Sequence, residues 1–154
     1  MDEKDLQTRW RNSNMVRGTV IGMAIALETV VNKFIAKHFC SSKLKQREMI
    51  EYLLGTERMS FDTKRQLMET IIQSHLPHLY ESRYRQILRD IELRIIPKRN
   101  EFAHGLTDLK TETAKHTGLI KYKKGKVNVI YSYEEIQALL KMIDDHTGAI
   151  TELL

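Results

Sequence analysis

The heptapeptide Arg99-Asn100-Glu101-Phe102-Ala103-His104-Gly105 holds the residue types in this chain best suited to chemistry. A guanidinium stays charged throughout the physiological range, whereas an imidazole gains and loses a proton near neutral pH. Together they can stabilise a phosphate that is gathering negative charge and pass a proton to or from an oxygen. Asn100 adds hydrogen bonds able to hold either the imidazole or the phosphate. Pro97 favours a first helical turn and Gly105 a stop, so the segment is predicted as a short helix or the kinked end of a longer one. On such a helix Asn100 and His104 share a face. Arg99 and His104 lie roughly 140° apart around the axis and border one groove without stacking. If the helix crosses a second copy of itself, two Arg and two His line one cleft.

Other charged residues could serve that centre. Glu28 interrupts an apolar helix surface, and a desolvated carboxylate needs a partner. Arg99 is the expected one; otherwise Glu28 faces outward beside Asn32 and Lys33. Arg83, Arg85, Arg89 and Arg94 decorate the helix ahead of the motif, and Lys98 adjoins Arg99. A lysine cluster that includes Lys123, Lys124 and Lys126 sits in a hairpin pattern with Tyr122 and Tyr131. Arg94, Lys98, Lys123, Lys124 and Lys126 are therefore candidate contacts to a phosphate backbone. The alternative for the arginines is a solvated face, and for the lysines an edge kept from pairing with other chains. His75 and His78 flank Pro77 without a cysteine or carboxylate cluster, so no metal site is expected. Cys40 ends a helix with no partner in sequence and is expected to pack. No glycine-rich phosphate loop and no H-E-x-x-H pattern occurs, and no cofactor is expected.

The elements that position these residues are mostly helical. Apolar residues recur at three- and four-residue steps over 14–39, with Asn14 as N-cap and residues 3–12 as a separate helix or a forward extension. Within it Gly18, Gly22 and Ala26 form a ladder of small residues expected to let another helix approach closely. Residues 43–54 predict a second helix, capped by Ser41 or Ser42 and ended by Gly55. A third follows Ser60, and a fourth spans 80–96 before Pro97 kinks or restarts it into the motif. Residues 107–117 are predicted as a loop or a frayed helix end. Stretches 119–122 and 127–131 alternate as strands around Lys123-Lys124-Gly125-Lys126, a hairpin pattern. Ser132 and Glu135 form a capping box for the last helix. The predicted architecture is all-α: a four- to five-helix bundle with a small β-hairpin inserted before the C-terminal helix, as one domain over 1–154.

The composition agrees. A chain of 154 residues, 42% hydrophobic and 29% charged, can build one core and remain soluble. The net charge of +5 and pI near 9.3 are compatible with a polyanionic partner without requiring one. The N-terminal residues are charged with mixed sign, unlike a secretory signal. The most apolar run, 18–27, is too short to cross a bilayer. With a single cysteine, these features predict a cytoplasmic location and no membrane association.

The segment Arg99 to Gly105, in the form RNxxAHG, resembles the R-x4-H motif of the HEPN superfamily, small helical domains many of which are metal-independent endoribonucleases. The long first helix, with Glu28 inside it and Ile35-Ala36-Lys37-His38-Phe39 at its end, loosely resembles the family's early helix. The resemblance implies a homodimer that cleaves RNA by attack of a 2′-hydroxyl on the adjacent phosphorus. Arg99, Asn100 and His104 would be catalytic and Glu28 supporting, in a toxin or antiphage effector held by a cognate antitoxin. HEPN toxins paired with a nucleotidyltransferase antitoxin commonly carry Tyr two residues after the His; here that position is Leu106, so adenylylation there has no support. The competing reading is a non-catalytic module that binds a protein, a nucleotide or RNA. A helical transcriptional regulator is a variant of it, although no helix-turn-helix pattern is present.

Overall fold

The computed structural model describes residues 2–113, 115–122 and 126–154. The first helix, α1, runs unbroken over Glu3–Phe39. Its start lies well ahead of Asn14. The Asp2 side chain accepts the Lys4 N–H, Glu3 and Asp5 occupy the first turn, and Lys37 lies in the last, so that these charges complement the helix dipole. Helix α2 covers 43–54, capped by Ser42, and closes in a wide π turn where Gly55 N–H reaches Ile50 O at 2.6 Å. A Cβ on Gly55 would lie 2.8 Å from that oxygen, so a side chain has no room there. Leu44, which the pattern places inward, is exposed instead. Helix α3 spans Phe61–His75 behind the Ser60 cap.

Helix α4 runs continuously over 77–104, with π turns at Tyr80–Tyr84 and Ile91–Ile95. Pro97 removes a donor and crowds the carbonyl four residues back. The second wide turn, closed by Ile96 N–H to Ile91 O, lies just ahead of it. A proline next to such a turn need not break the helix, and α4 carries on through the motif to His104.

The hairpin is part of a larger sheet. β1 (Leu106–Thr107), β2 (His116–Tyr122) and β3 (Lys126–Ser132) form an antiparallel sheet in that order. Leu106 pairs with Ile120, and Leu119 with Val129. The stretch predicted as a loop thus supplies a short edge strand and the start of β2. The turn predicted around Lys123, Lys124 and Gly125 lies outside the described residues. The last helix, α5, is Tyr133–Thr151, and both hydrogen bonds of its Ser132/Glu135 capping box are made. Among the described residues there are thus five helices and one three-stranded sheet, a helical bundle with strands ahead of its last helix.

Two apolar clusters hold the parts together. The larger packs Leu27, Val31 and Ile35 of α1 with Leu54, Met68, Ile72, Leu88, Ile91 and Ile150. The smaller joins Val20, Phe102, Leu119, Tyr131 and Ile136, tying the end of α4 to the sheet, α1 and α5. Because α1 is one long helix, the apolar segment around 18–27 sits within an 18-residue window long and apolar enough to cross a membrane, with 44% of that window buried inside the molecule. The length argument against a membrane span therefore does not hold for α1.

Candidate functional site

The motif occupies the last two turns of α4. Phe102 is fully buried, its ring 5.2 Å from that of Tyr131, and fixes the helix against the sheet. That anchor turns the other side of the helix outward: Pro97, Asn100 and His104 are exposed, as is Leu93 one turn earlier. At the helix end, Arg17 of α1 donates from one Nη2 to the carbonyls of Ala103, at 3.0 Å, and Gly105, at 2.7 Å. Its charge meets the negative end of the helix dipole and satisfies acceptors that a helix terminus leaves open. Gly105 is buried in an extended conformation, with φ −72° and ψ 145°, so it ends the helix without a left-handed turn.

Arg99 is half-buried and donates to Asn100 Oδ1 at 3.1 Å. No carboxylate lies within ion-pair distance of it among the described residues. It borders a groove of about 500 Å³ whose other walls are Ile25, Glu28, Thr29 and Asn32 of α1, the 55–61 segment and Lys64. Glu28 is paired there, but not with Arg99. Lys64 Nζ donates to its Oε1 at 2.5 Å, and the Lys64 side chain is only 3% exposed. Lys64 sits on the apolar face of α3, between Phe61 and Met68, and its stem reaches along that face to the carboxylate. Glu28 pairs with Lys64, and Arg99 and Glu57 line the same groove with no ion pair between them among the described residues. Asn32, 7% exposed, keeps a buried Oδ1 without a partner among the described residues.

His104 is exposed and makes no side-chain hydrogen bond among the described residues. Asn100 therefore orients Arg99 rather than the imidazole. Arg99 faces the groove, His104 lies round the helix from it, and Asn100 sits between them. His104 does not line the Arg99 groove, and neither side chain is sealed in the core.

The other sequence candidates divide. Arg94 is exposed, with Nε 3.6 Å from Asp90. Lys98 is tied down: its ammonium lies 4.6 Å from the Tyr131 ring centroid, 3.0 Å from the Tyr131 hydroxyl and 3.3 Å from Glu101. The same hydroxyl donates to Glu101. A phosphate at Lys98 would have to break these contacts. Lys123 and Lys124 lie outside the described residues, and of Lys126 the structure gives the backbone pairing with Tyr122. His146, isolated in sequence, meets Asp90 at 3.2 Å, and the rings of His38 and His75 stand 4.8 Å apart. Cys40 is half-buried with Sγ 3.7 Å from Met49 Sδ, a packing contact.

The residues missed by sequence reasoning, Arg17 and Lys64, did leave a trace. Arg17 is the single charge between Asn14 and Leu27, and Lys64 interrupts the apolar stripe of α3. The Gly18–Gly22–Ala26 ladder does not pack within the chain; a Cβ at Gly18 or Gly22 would meet nothing within 4 Å. From Met15 to Thr29 the exposed positions of α1 are Met15, Gly18, Thr19, Gly22, Ile25, Ala26 and Thr29. None is charged, over roughly 21 Å of helix. This strip lies beside the motif, because Arg17 touches the end of α4 and Ile25 and Thr29 line the Arg99 groove. The chain matches no protein-family model, no curated protein and no solved structure.

Proposed function

We propose that this protein is a HEPN-type endoribonuclease that cleaves RNA without a metal at a cleft shared by two copies of the chain. The observation that carries the reading is the Arg99–Asn100–His104 arrangement: a guanidinium at a groove, with no carboxylate in ion-pair contact with it among the described residues, and an exposed imidazole round the same helix. In the proposed reaction the 2′-hydroxyl attacks the adjacent phosphorus and the bond to the 5′-oxygen breaks. A 2′,3′-cyclic phosphate and a 5′-hydroxyl result. Arg99 stabilises the charge gathering on the phosphate oxygens, and His104 takes or returns the proton.

A single chain offers one imidazole, whereas the reaction deprotonates one oxygen and protonates another. A second copy related by a two-fold axis supplies the other. The uncharged strip of α1 beside the motif, together with exposed Leu93 and Leu106, is the surface that supports such pairing. Under this reading the protein works in the cytoplasm as a toxin or antiphage effector restrained by an antitoxin.

The test is RNA cleavage by purified protein in EDTA. Arg99→Ala and His104→Ala should each lower the rate by about 10²-fold or more, with an unchanged melting temperature because neither side chain is in the core. Wild-type product should carry a cyclic phosphate and a 5′-hydroxyl. Cleavage that survives both substitutions would defeat the proposal. Tight RNA binding with no cleavage by wild type would favour the binding-module alternative, since the same groove can hold a phosphate without reacting.

A further inference from the structure

A second groove lies between α1 and α2, about 530 Å³ in volume, and its walls carry Lys33, Lys37, Lys43 and Arg47. All four are exposed. Lys37 donates to the Leu154 backbone oxygen, while Lys33, Lys43 and Arg47 have no acidic partner among the described residues. Glu51 is the one acidic side chain lining the groove; Gln46, Ile50 and Leu154 also line it. With Lys37 already bonded to Leu154, three unpaired cations against one acidic side chain leave the groove with an excess of positive charge suited to an anion.

The arrangement is also linear. Lys33 and Lys37 are one helical turn apart on α1, and Lys43 and Arg47 are one turn apart on α2, so each pair is separated by roughly 5–6 Å at Cβ. That spacing suits successive phosphates better than a single compact anion. The two grooves share no lining residue, but both are walled by α1: Thr29, which lines the Arg99 groove, stands one turn before Lys33 on that helix. From Thr29 to Lys37 the helix runs roughly 12 Å at the helical rise, enough for two or three nucleotides of an extended strand.

We propose that the α1–α2 groove binds the phosphate backbone of single-stranded RNA and leads the strand to or from Arg99. This rests on the nuclease reading for its direction, but the binding site itself stands on its own charges. Bases would face solvent along the track, so binding is expected to be indifferent to sequence.

The probe is a fluorescein-labelled 2′-O-methyl RNA 15-mer, which lacks the nucleophile and cannot be cut. Its binding to the full chain is read by anisotropy across a salt series. Lys33→Glu/Lys43→Glu/Arg47→Glu should weaken binding at least 10-fold. The slope of log affinity against log salt should fall by about 2, at roughly 0.7 for each lost phosphate contact on a single strand. The milder Gln triple variant should show the same direction with a wild-type melting curve, which guards against misfolding in the Glu variant. Reversing exposed Arg11, Lys110 and Lys115 changes net charge equally and should cost less than 2-fold. Equal losses from both triple reversals would overturn the groove as a site, as would an unchanged slope. Groove-dependent binding to phosphatidylserine vesicles without groove-dependent RNA binding would overturn it in favour of a membrane surface. Groove-dependent RNA binding by a chain that cuts no RNA would leave the groove standing and remove the nuclease reading.

Discussion

Arg17 shows how a residue outside the motif can govern it. One Nη2 bridges the carbonyls of Ala103 and Gly105, so the end of α4, and with it His104, is tied to α1. Charged hydrogen bonds of this kind contribute about 1.5–3 kcal/mol. Arg17→Met should lower stability by about 2 kcal/mol in urea denaturation and reduce the cleavage rate, and Arg17→Lys should recover part of both. A rate loss with no stability loss would instead place Arg17 in contact with substrate. Glu112 gives a pH signature of its own. It is 1% exposed, and burial raises its pKa, opposed by the Gly118 N–H, the Thr117 hydroxyl and the Arg9 charge. A carboxyl with a raised folded pKa is favoured as the neutral acid. Its stabilisation is complete below the unfolded value near 4.5 and is lost as pH climbs through the folded value. Glu112→Gln keeps an acceptor for Gly118 and never ionises. The variant should therefore melt above wild type at pH 7, with the gap closing towards about pH 4. Thermal melts across that range check it, and a gap of constant size would refute it.

At the scale of elements, the loop over β2 is held by close backbone packing. Asp108 N–H donates to Gly118 O at 2.9 Å, and a Cβ on Gly118 would stand 1.7 Å from Thr111 Oγ1 and 3.0 Å from Asp108 O. Gly118→Ala must push the 108–113 turn away, which overpacking data put at about 1–3 kcal/mol. Because Arg9 and Ser13 of α1 also bond to this region, proteolysis of 108–115 should accelerate in the variant. That close approach is invisible in sequence, which explains why 107–117 looked like a plain loop. The helices were legible because their signals are local: Ser42, Ser60 and the Ser132/Glu135 box each cap where their neighbours predict. The unbroken path through Pro97 was not, because a π turn depends on hydrogen bonds five residues apart that no apolar period encodes. The site was half legible. Residue types and spacing singled out Arg99 and His104 as candidates, but Glu28 gave no clue that its partner would come from α3. Lys64 meets it only after 36 residues of chain have folded back.

At the scale of the molecule, the question is what covers the uncharged strip of α1. Gly22 lies at its centre, exposed, with nothing within 4 Å of where a Cβ would be. A side chain there is free of cost within one chain, and leaving Gly in a helix interior for Glu should add about 0.5–1 kcal/mol of stability. Any functional loss from Gly22→Glu therefore reports contact with something outside the chain. If two copies meet on this strip, each brings a carboxylate into the interface opposite its mate, and like charges desolvated together oppose association. The expected result is a shift from dimer to monomer in sedimentation velocity, loss of RNA cleavage, and a folded chain at least as resistant to urea as wild type. Separate partnering by the motif gives a different pattern: His104→Ala, whose substitution leaves the strip intact, should remain dimeric while inactive. A Gly22→Glu chain that stays dimeric and cuts RNA would show that the strip is not where the copies meet, and the shared cleft would have to be sought on another face of α4.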